Sequence, residues 1–531
     1  MSSAQGLKEM RQISMNGRTR IASAERCPRV LFASPEIYPL AKTGGLGDVS
    51  AALPVTLQSS GVDIQLTMPG YGRALDLAEA KQQSVPLGEI AGIAGVALVS
   101  ARMPDTGLPV WLVDCPALYR RPGGPYTDDK GQVWPDNSIR FAVFCHAVAR
   151  LAVGLAGLSW RPDVVHLHDW HLGLVPAILV SQDAPHHPRT IFTIHNLAFQ
   201  GLFPAGDFPH LGLPQEFFAS DRIEFYGQVS FLKAGIRFAD RLTTVSPSYA
   251  REILTPEYGC GLDGLLRGRA EDLVGILNGI DYEAWSPEDA TRVPFPYSSR
   301  DLGGKRRCKR ALQGEIGLAT EPSSPLIAFL SRLTEQKMAD LLPQVMPTIA
   351  AQGAQFVVCG EGERAIEQLL SGLALQYPGR MAIRIGYNEA LARRILAGAD
   401  LLAAPARFEP CGLIQMYAMR YGTLPIVRRT GGHCETVVGD DSRRGRSGPT
   451  GFVFNEPTAQ DLNNAIERAC RLYRQASAWR KMQVRAMRQD FSWRRSAERY
   501  LALYRETVQD NEEAIAHGSL GAVDYRLRPA V

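Results

Sequence analysis

The chain has 531 residues, 45% of them hydrophobic and 21% charged, so it is long enough for several cores and has a globular composition that excludes disordered and fibrous classes. Its 58 Lys and Arg exceed its 54 Asp and Glu by only four, so no chain-wide field for gripping nucleic acid exists and any anion binding must be local. Nine cysteines without CxxC spacing argue against a zinc cluster or a disulfide framework and fit reduced thiols in a cytoplasmic compartment.

Residues 1–27 carry Lys8, Arg11, Arg18 and Arg20 without an apolar core, which reads as a basic disordered extension and not a secretory signal. A plastid or other organelle transit peptide is the alternative. From Arg29 the pattern becomes strand, glycine turn, helix. Strands are predicted over 30–33, 64–68, 110–113, 164–167, 190–194 and 241–245, with helical stretches between them. The window 141–158 is interrupted by His146 and Arg150, short of the roughly 18 apolar residues of a membrane span, so no membrane partner is expected. A second strand series is predicted over 326–330, 355–359, 381–385, 401–404 and 424–427. The fold class is therefore α/β, with two doubly wound, mostly parallel domains. Pro287, Pro294, Pro296, Gly303 and Gly304 mark a linker, which divides the chain into domains at 28–277 and 278–490. A closing segment follows at 491–509, with an amphipathic helix over 496–509, and then a tail at 510–531.

Ligands of open parallel sheets collect beyond the carboxyl ends of the strands, so the chemistry is sought in those loops. Lys42-Thr43-Gly44-Gly45-Leu46-Gly47-Asp48 follows the first strand and opens a helix, where bare amides can meet an anion; a plain tight turn is the alternative. The spacing matches neither GxGxxG nor the phosphate loop of ATP-binding proteins. Arg332 and Lys337 leave the first strand of the second domain as a planar fork and a point charge, a pair suited to a diphosphate unless both are merely solvated. Glu409-Pro410-Cys411-Gly412-Leu413-Ile414 opens another helix. The amides of Gly412, Leu413 and Ile414 suit a phosphate, and Glu409 suits a sugar or, failing that, caps the helix. His166, His168, Asp169 and His171 close one strand, His195 and Asn196 another. Alternation along the strand is expected to turn His166 and His168 to opposite sides, and no HExxH helix is present, so polar lining is favoured over metal. Cys359 and Cys411 beside glycines suggest nucleophiles, but packing is the simpler reading.

Lys42 to Asp48, His168 to Leu174, Thr193 to Pro204, Phe225 to Ile253, Leu277 to Asp281, Ser331 to Lys337, Gly360 to Glu363 and Phe408 to Gln415 resemble bacterial glycogen synthases and plant starch synthases. The likeness spans about 29–500. It implies a GT-B fold, ADP-glucose as donor, and retaining transfer of glucose to the 4-hydroxyl of an α-1,4-glucan such as glycogen or a maltooligosaccharide, with no metal and no pyridoxal phosphate. By resemblance, Glu409, Lys337, Arg332 and His195 are catalytic. The same likeness matches Lys42, Gly44, Gly45, Asp48, Asp169, Asn196, Asn278 and Tyr387 (beside the adenine) to the donor cleft, and with the helix-opening segment Cys411, Gly412, Leu413 and Ile414 they form the expected donor-binding set. The departures are His433 and Glu435 in Thr430-Gly431-Gly432-His433-Cys434-Glu435-Thr436-Val437, where the family has TGGLxDTV, Met338 where it usually has Gly, and Ala404-Pro405-Ala406 for Met-Pro-Ser. They leave open UDP-glucose as donor or a short acceptor such as maltose 1-phosphate; a non-catalytic glucan-binding relative is a separate alternative, which the intact Lys42, Arg332, Lys337 and Glu409 argue against. The sequence sets no oligomeric state.

Overall fold

The computed structural model describes residues 27–154, 157–182, 187–386, 388–440 and 448–516. The strands, in chain order, are β1 (Arg29–Ala33), β2 (Asp63–Pro69), β3 (Glu79–Ile90), β4 (Ile93–Arg102), β5 (Pro109–Asp114), β6 (Val164–His168), β7 (Arg189–Ile194), β8 (Leu202–Pro204), β9 (Glu224–Phe225), β10 (Gln228–Ser230), β11 (Arg241–Thr244) and β12 (Leu273–Gly275), then β13 (Leu326–Leu330), β14 (Gln355–Gly360), β15 (Met381–Ile385), β16 (Leu401–Ala404), β17 (Leu424–Arg428) and β18 (Phe452–Phe454). They form a nine-stranded sheet in the order β12-β11-β7-β6-β1-β2-β5-β4-β3, a small sheet β8-β10-β9, and a six-stranded sheet β15-β14-β13-β16-β17-β18. Apolar runs such as Val30-Leu31-Phe32-Ala33 and Leu326-Ile327-Ala328-Phe329-Leu330 are buried along their length because helices cover both faces of a parallel sheet.

Two features lie outside the predicted strand series. β3 and β4 form an antiparallel hairpin on the edge of the first sheet, turning through Ala91 (φ 51°) and Gly92 (φ 78°). β18 adds a sixth parallel strand beside β17.

Each large sheet reverses its winding at its middle. β1 leads to β2 on one side while β6 lies on the other, and β13 leads to β14 while β16 lies opposite. Loops after β1 and β6, and after β13 and β16, therefore diverge and leave a crevice at each switch point.

The chain passes between the domains twice, side by side. Ile280 N–H donates to Phe491 O at 2.8 Å, and a Cβ on Gly279 would lie 2.7 Å from the Trp493 backbone, so the crossing is closely packed. The helix Trp493–Ala516 then lies on the first domain, against the helix Gly45–Ser59, β6 and β7; it begins before residue 496 and runs past 509, where the sequence pattern weakens. Among the described residues no helix is long and apolar enough to cross a membrane.

Candidate active site

Loops at the two switch points hold most of the predicted site residues; His195 and Asn196 follow β7 and Asn278 follows β12. After β1, Lys42 Nζ donates to Asp48 Oδ1 at 2.7 Å and, across the cleft, to Glu389 Oε2 at 3.1 Å. The turn itself is held by Glu36, whose buried carboxylate accepts from the amides of Thr43 (2.5 Å) and Gly44 (3.2 Å) and from the Tyr126 hydroxyl. Burial raises the Asp48 and Glu36 carboxyls above their usual values, with Lys42 opposing in both cases and amide and hydroxyl donors opposing at Glu36. A Cβ on Gly44 would meet nothing within 4 Å, whereas one on Gly45 would lie 3.4 Å from Leu413 Cδ1, so this loop approaches the 411–414 segment of the other domain.

After β6, Asp169 takes φ 67°, ψ 175°, a backbone region nearly reserved for glycine. It is buried, one carboxylate oxygen lacks a partner, and burial pushes its carboxyl up to about 7 against the amides of Trp170, His195 and Asn196. His195, after β7, shares a hydrogen bond with His168 (Nε2 to Nδ1, 2.9 Å), and burial lowers it to about 3. Asn196 accepts from the Ala198 amide at 3.1 Å, which shapes the same turn.

The expectation that His166 and His168 face opposite sides is wrong. Residues two apart on a strand share a face, and the two rings lie 4.1 Å apart, both against Phe32. Both nitrogens of His166 are nonetheless engaged by hydroxyls, at 2.8 Å from Tyr504 and 2.7 Å from Thr193. Among the described residues no group of three or more His, Cys, Asp or Glu side chains converges as a cation site.

In the second domain, Lys337 (after β13) donates to Glu409 Oε2 (after β16). Burial alone would raise the Glu409 carboxyl, but Lys337, His433 and Arg332 hold it below its usual value, so it is ionised at neutral pH. Arg332 is exposed at the cleft with its guanidinium 5.7 Å from the Phe199 ring of the first domain. Gly412 takes φ 71° ahead of the helix Ile414–Arg420. Asn278 is buried with its side-chain oxygen unpartnered, and burial pushes the Cys411 thiol up to about 12, which makes it a packed thiol and not a nucleophile. Tyr387 lies outside the described residues.

Contacts across the cleft were not anticipated. Glu252 of the first domain accepts from Gly431 N–H at 2.8 Å and from the Thr430 hydroxyl at 3.2 Å. Glu435 of the second accepts from the Ser248 amide (3.0 Å) and hydroxyl (2.6 Å), and Ser246 Oγ donates to Pro410 O at 2.6 Å. The only sequence signal for these partners is their position just past strand ends; nothing pairs them with residues well over 100 positions away.

Two mostly parallel sheets bring the Lys42 loop and the buried Lys337–Glu409 pair to one cleft, the arrangement of a glycosyltransferase of the GT-B class. Residues 29–268 match the starch synthase catalytic domain and residues 317–483 the glycosyl transferases group 1 family. The glycogen synthase of Burkholderia thailandensis is 50% identical over 493 residues, covering 91% of this chain and 92% of its own; that of Thioalkalivibrio sulfidiphilus is 49% identical over 484 residues, covering 90% and 100%. The catalytic domain of starch synthase IV from Arabidopsis thaliana, solved with ADP and acarbose, superposes with a TM-score of 0.83 at 32% identity, covering 91% of this chain and all of that one. Sucrose-phosphate synthase from Thermosynechococcus elongatus, at 16% identity and a TM-score of 0.57, shares the fold alone. The chain belongs to the glycogen and starch synthase family.

Proposed function

We propose that this protein transfers glucose from ADP-glucose to the 4-hydroxyl at the end of an α-1,4-glucan, with retention and without a metal or pyridoxal cofactor. The observation that carries the reading is the Lys337–Glu409 pair, with Arg332 beside it, at one switch point facing the Lys42 loop at the other. Arg332 and Lys337 supply the cations for a departing diphosphate, and the helix-opening segment Gly412, Leu413 and Ile414 supplies amides. Glu409, ionised, is no general acid; it stabilises positive charge that grows at the anomeric carbon as the bond to phosphate breaks. His195, Asn196 and Asp169 line the sugar side, and the contacts through Glu252, Glu435 and Ser246 hold the cleft shut against water. The relative solved with ADP and acarbose supports a nucleotide-sugar donor and a glucan acceptor. Nine free cysteines support a reducing, cytoplasmic setting.

The test is incorporation of labelled glucose into glycogen from ADP-glucose and from UDP-glucose by wild type and Glu409→Gln. Transfer from ADP-glucose, nearly abolished in the variant while ADP still binds, is the expected result; no incorporation from either donor by the wild type sinks the reading. A shifted donor preference is the second reading, and His433 is the observation that favours it.

A further inference from the structure

The turn after β17 carries a buried histidine, His433. Gly431 (φ 43°) lies so close to Glu409 that an added Cβ would be 1.8 Å from its carbonyl oxygen, and one on Gly432 would be 2.3 Å from that of Cys411. His433, the next residue, is 1% exposed, and its ring is electrostatically coupled to both Glu409 and Lys337. Its Nδ1 lies 3.2 Å from the carbonyl oxygen of Arg428, which can only accept, so Nδ1 carries the proton. Nε2 is then a bare acceptor, and it is buried without a partner. Burial pushes this imidazole down to about 4, with Lys337 adding to the effect and Glu409 opposing it, so the ring stays neutral at physiological pH.

A leucine at this position would leave nothing to satisfy; a buried acceptor without a donor is costly, and such groups mark places where a ligand completes the bond. The missing partner must donate. Diphosphate oxygens only accept, so they cannot serve a neutral Nε2, whereas a sugar hydroxyl can. We propose that His433 is a specificity-determining residue whose Nε2 accepts a hydrogen bond from a hydroxyl of the donor's hexose. The inference rests on the functional reading above, in which Glu409, the neighbour of His433, faces that hexose.

The experiment compares wild type and His433→Leu, which puts an apolar side chain at the buried position and removes the acceptor. Each is assayed with ADP-glucose and with analogues lacking one hexose hydroxyl at a time, and ADP is measured separately as an inhibitor. The variant is expected to lose roughly three- to tenfold in kcat/KM with ADP-glucose, while its ADP inhibition constant stays unchanged. For one analogue the wild type should show the same loss, and the variant no further loss. A variant-to-wild-type ratio that is uniform across all analogues, or ADP binding weakened by the same factor, overturns the inference alone. Wild type that transfers from no nucleotide sugar overturns the functional reading and this inference with it.

Discussion

Removing Lys337 while keeping Glu409 should cost more stability than removing both charges. The two side chains are 17% and 10% exposed, so each relies on the other for solvation that water no longer provides. In Lys337→Met the strongest opposing charge is gone and burial governs the Glu409 carboxyl. Breaking a buried pair from one side costs about 3–5 kcal/mol; the lower end, about 3, applies here because Arg332 remains nearby. For a domain of this size each kcal/mol moves the melting temperature by roughly 2–4 °C, so a loss of about 6–12 °C is expected. The double variant Lys337→Met/Glu409→Gln has no stranded charge and should melt well above the sum of the single losses, with a coupling of about 1–3 kcal/mol. The pH dependence has a definite sign. The wild-type carboxyl is held below 4.5, so its contribution is present above 4.5 and lost as pH falls through the folded value. In Lys337→Met the folded value rises above 4.5, so the penalty is greatest at neutral pH and shrinks on acidification. Differential scanning calorimetry of the four proteins at neutral pH and near 4.5 measures both effects. Additive melting shifts, or a pH-independent Lys337→Met penalty, would refute the account.

Gly431→Ala should drive the turn off Glu409, because its Cβ would meet the Glu409 carbonyl at 1.8 Å; a displacement on that scale costs about 100-fold in kcat/KM. Unchanged turnover in a folded variant would contradict this packing. Asp169, raised to about 7, contributes stability that is present below 3.8 and lost as pH rises to about 7, so Asp169→Asn should flatten that decline; parallel wild-type and variant melting curves across this range would count against it. Met338 has φ 53° and is fully buried, so Met338→Gly relieves about 1 kcal/mol of backbone strain but loses about 2–5 kcal/mol of core packing. The variant should melt lower, and a higher melting temperature would show that strain outweighs packing.

The central strands were legible because a strand buried on both faces of a parallel sheet reads as a near-continuous apolar run, as in β1 and β13. The edge hairpin was not. β3 carries Lys81, Gln82, Gln83, Pro86 and Gly88, its pairing with β4 slips register, and its turn puts an alanine at positive φ where asparagine or glycine would have signalled a hairpin. The end of the closing helix was set too early because its late turns have a weak apolar pattern. At the site, residues beyond strand ends were legible one loop at a time, since switch-point topology directs such loops to a common crevice. Their pairing was not. Lys42 meets Glu389, Glu252 meets Gly431 and Glu435 meets Ser248 only when two separately wound sheets close on each other, and no local pattern encodes a distance between them.

These three carboxylates reach across the cleft in both directions. Glu252 reaches from the first domain to the Gly431 turn of the second, while Glu389 and Glu435 reach from the second to Lys42 and to Ser248, at the start of the helix Pro247–Glu252, in the first. Opening the cleft would therefore release the Gly431 turn from Glu252 and Lys42 from Glu389 together.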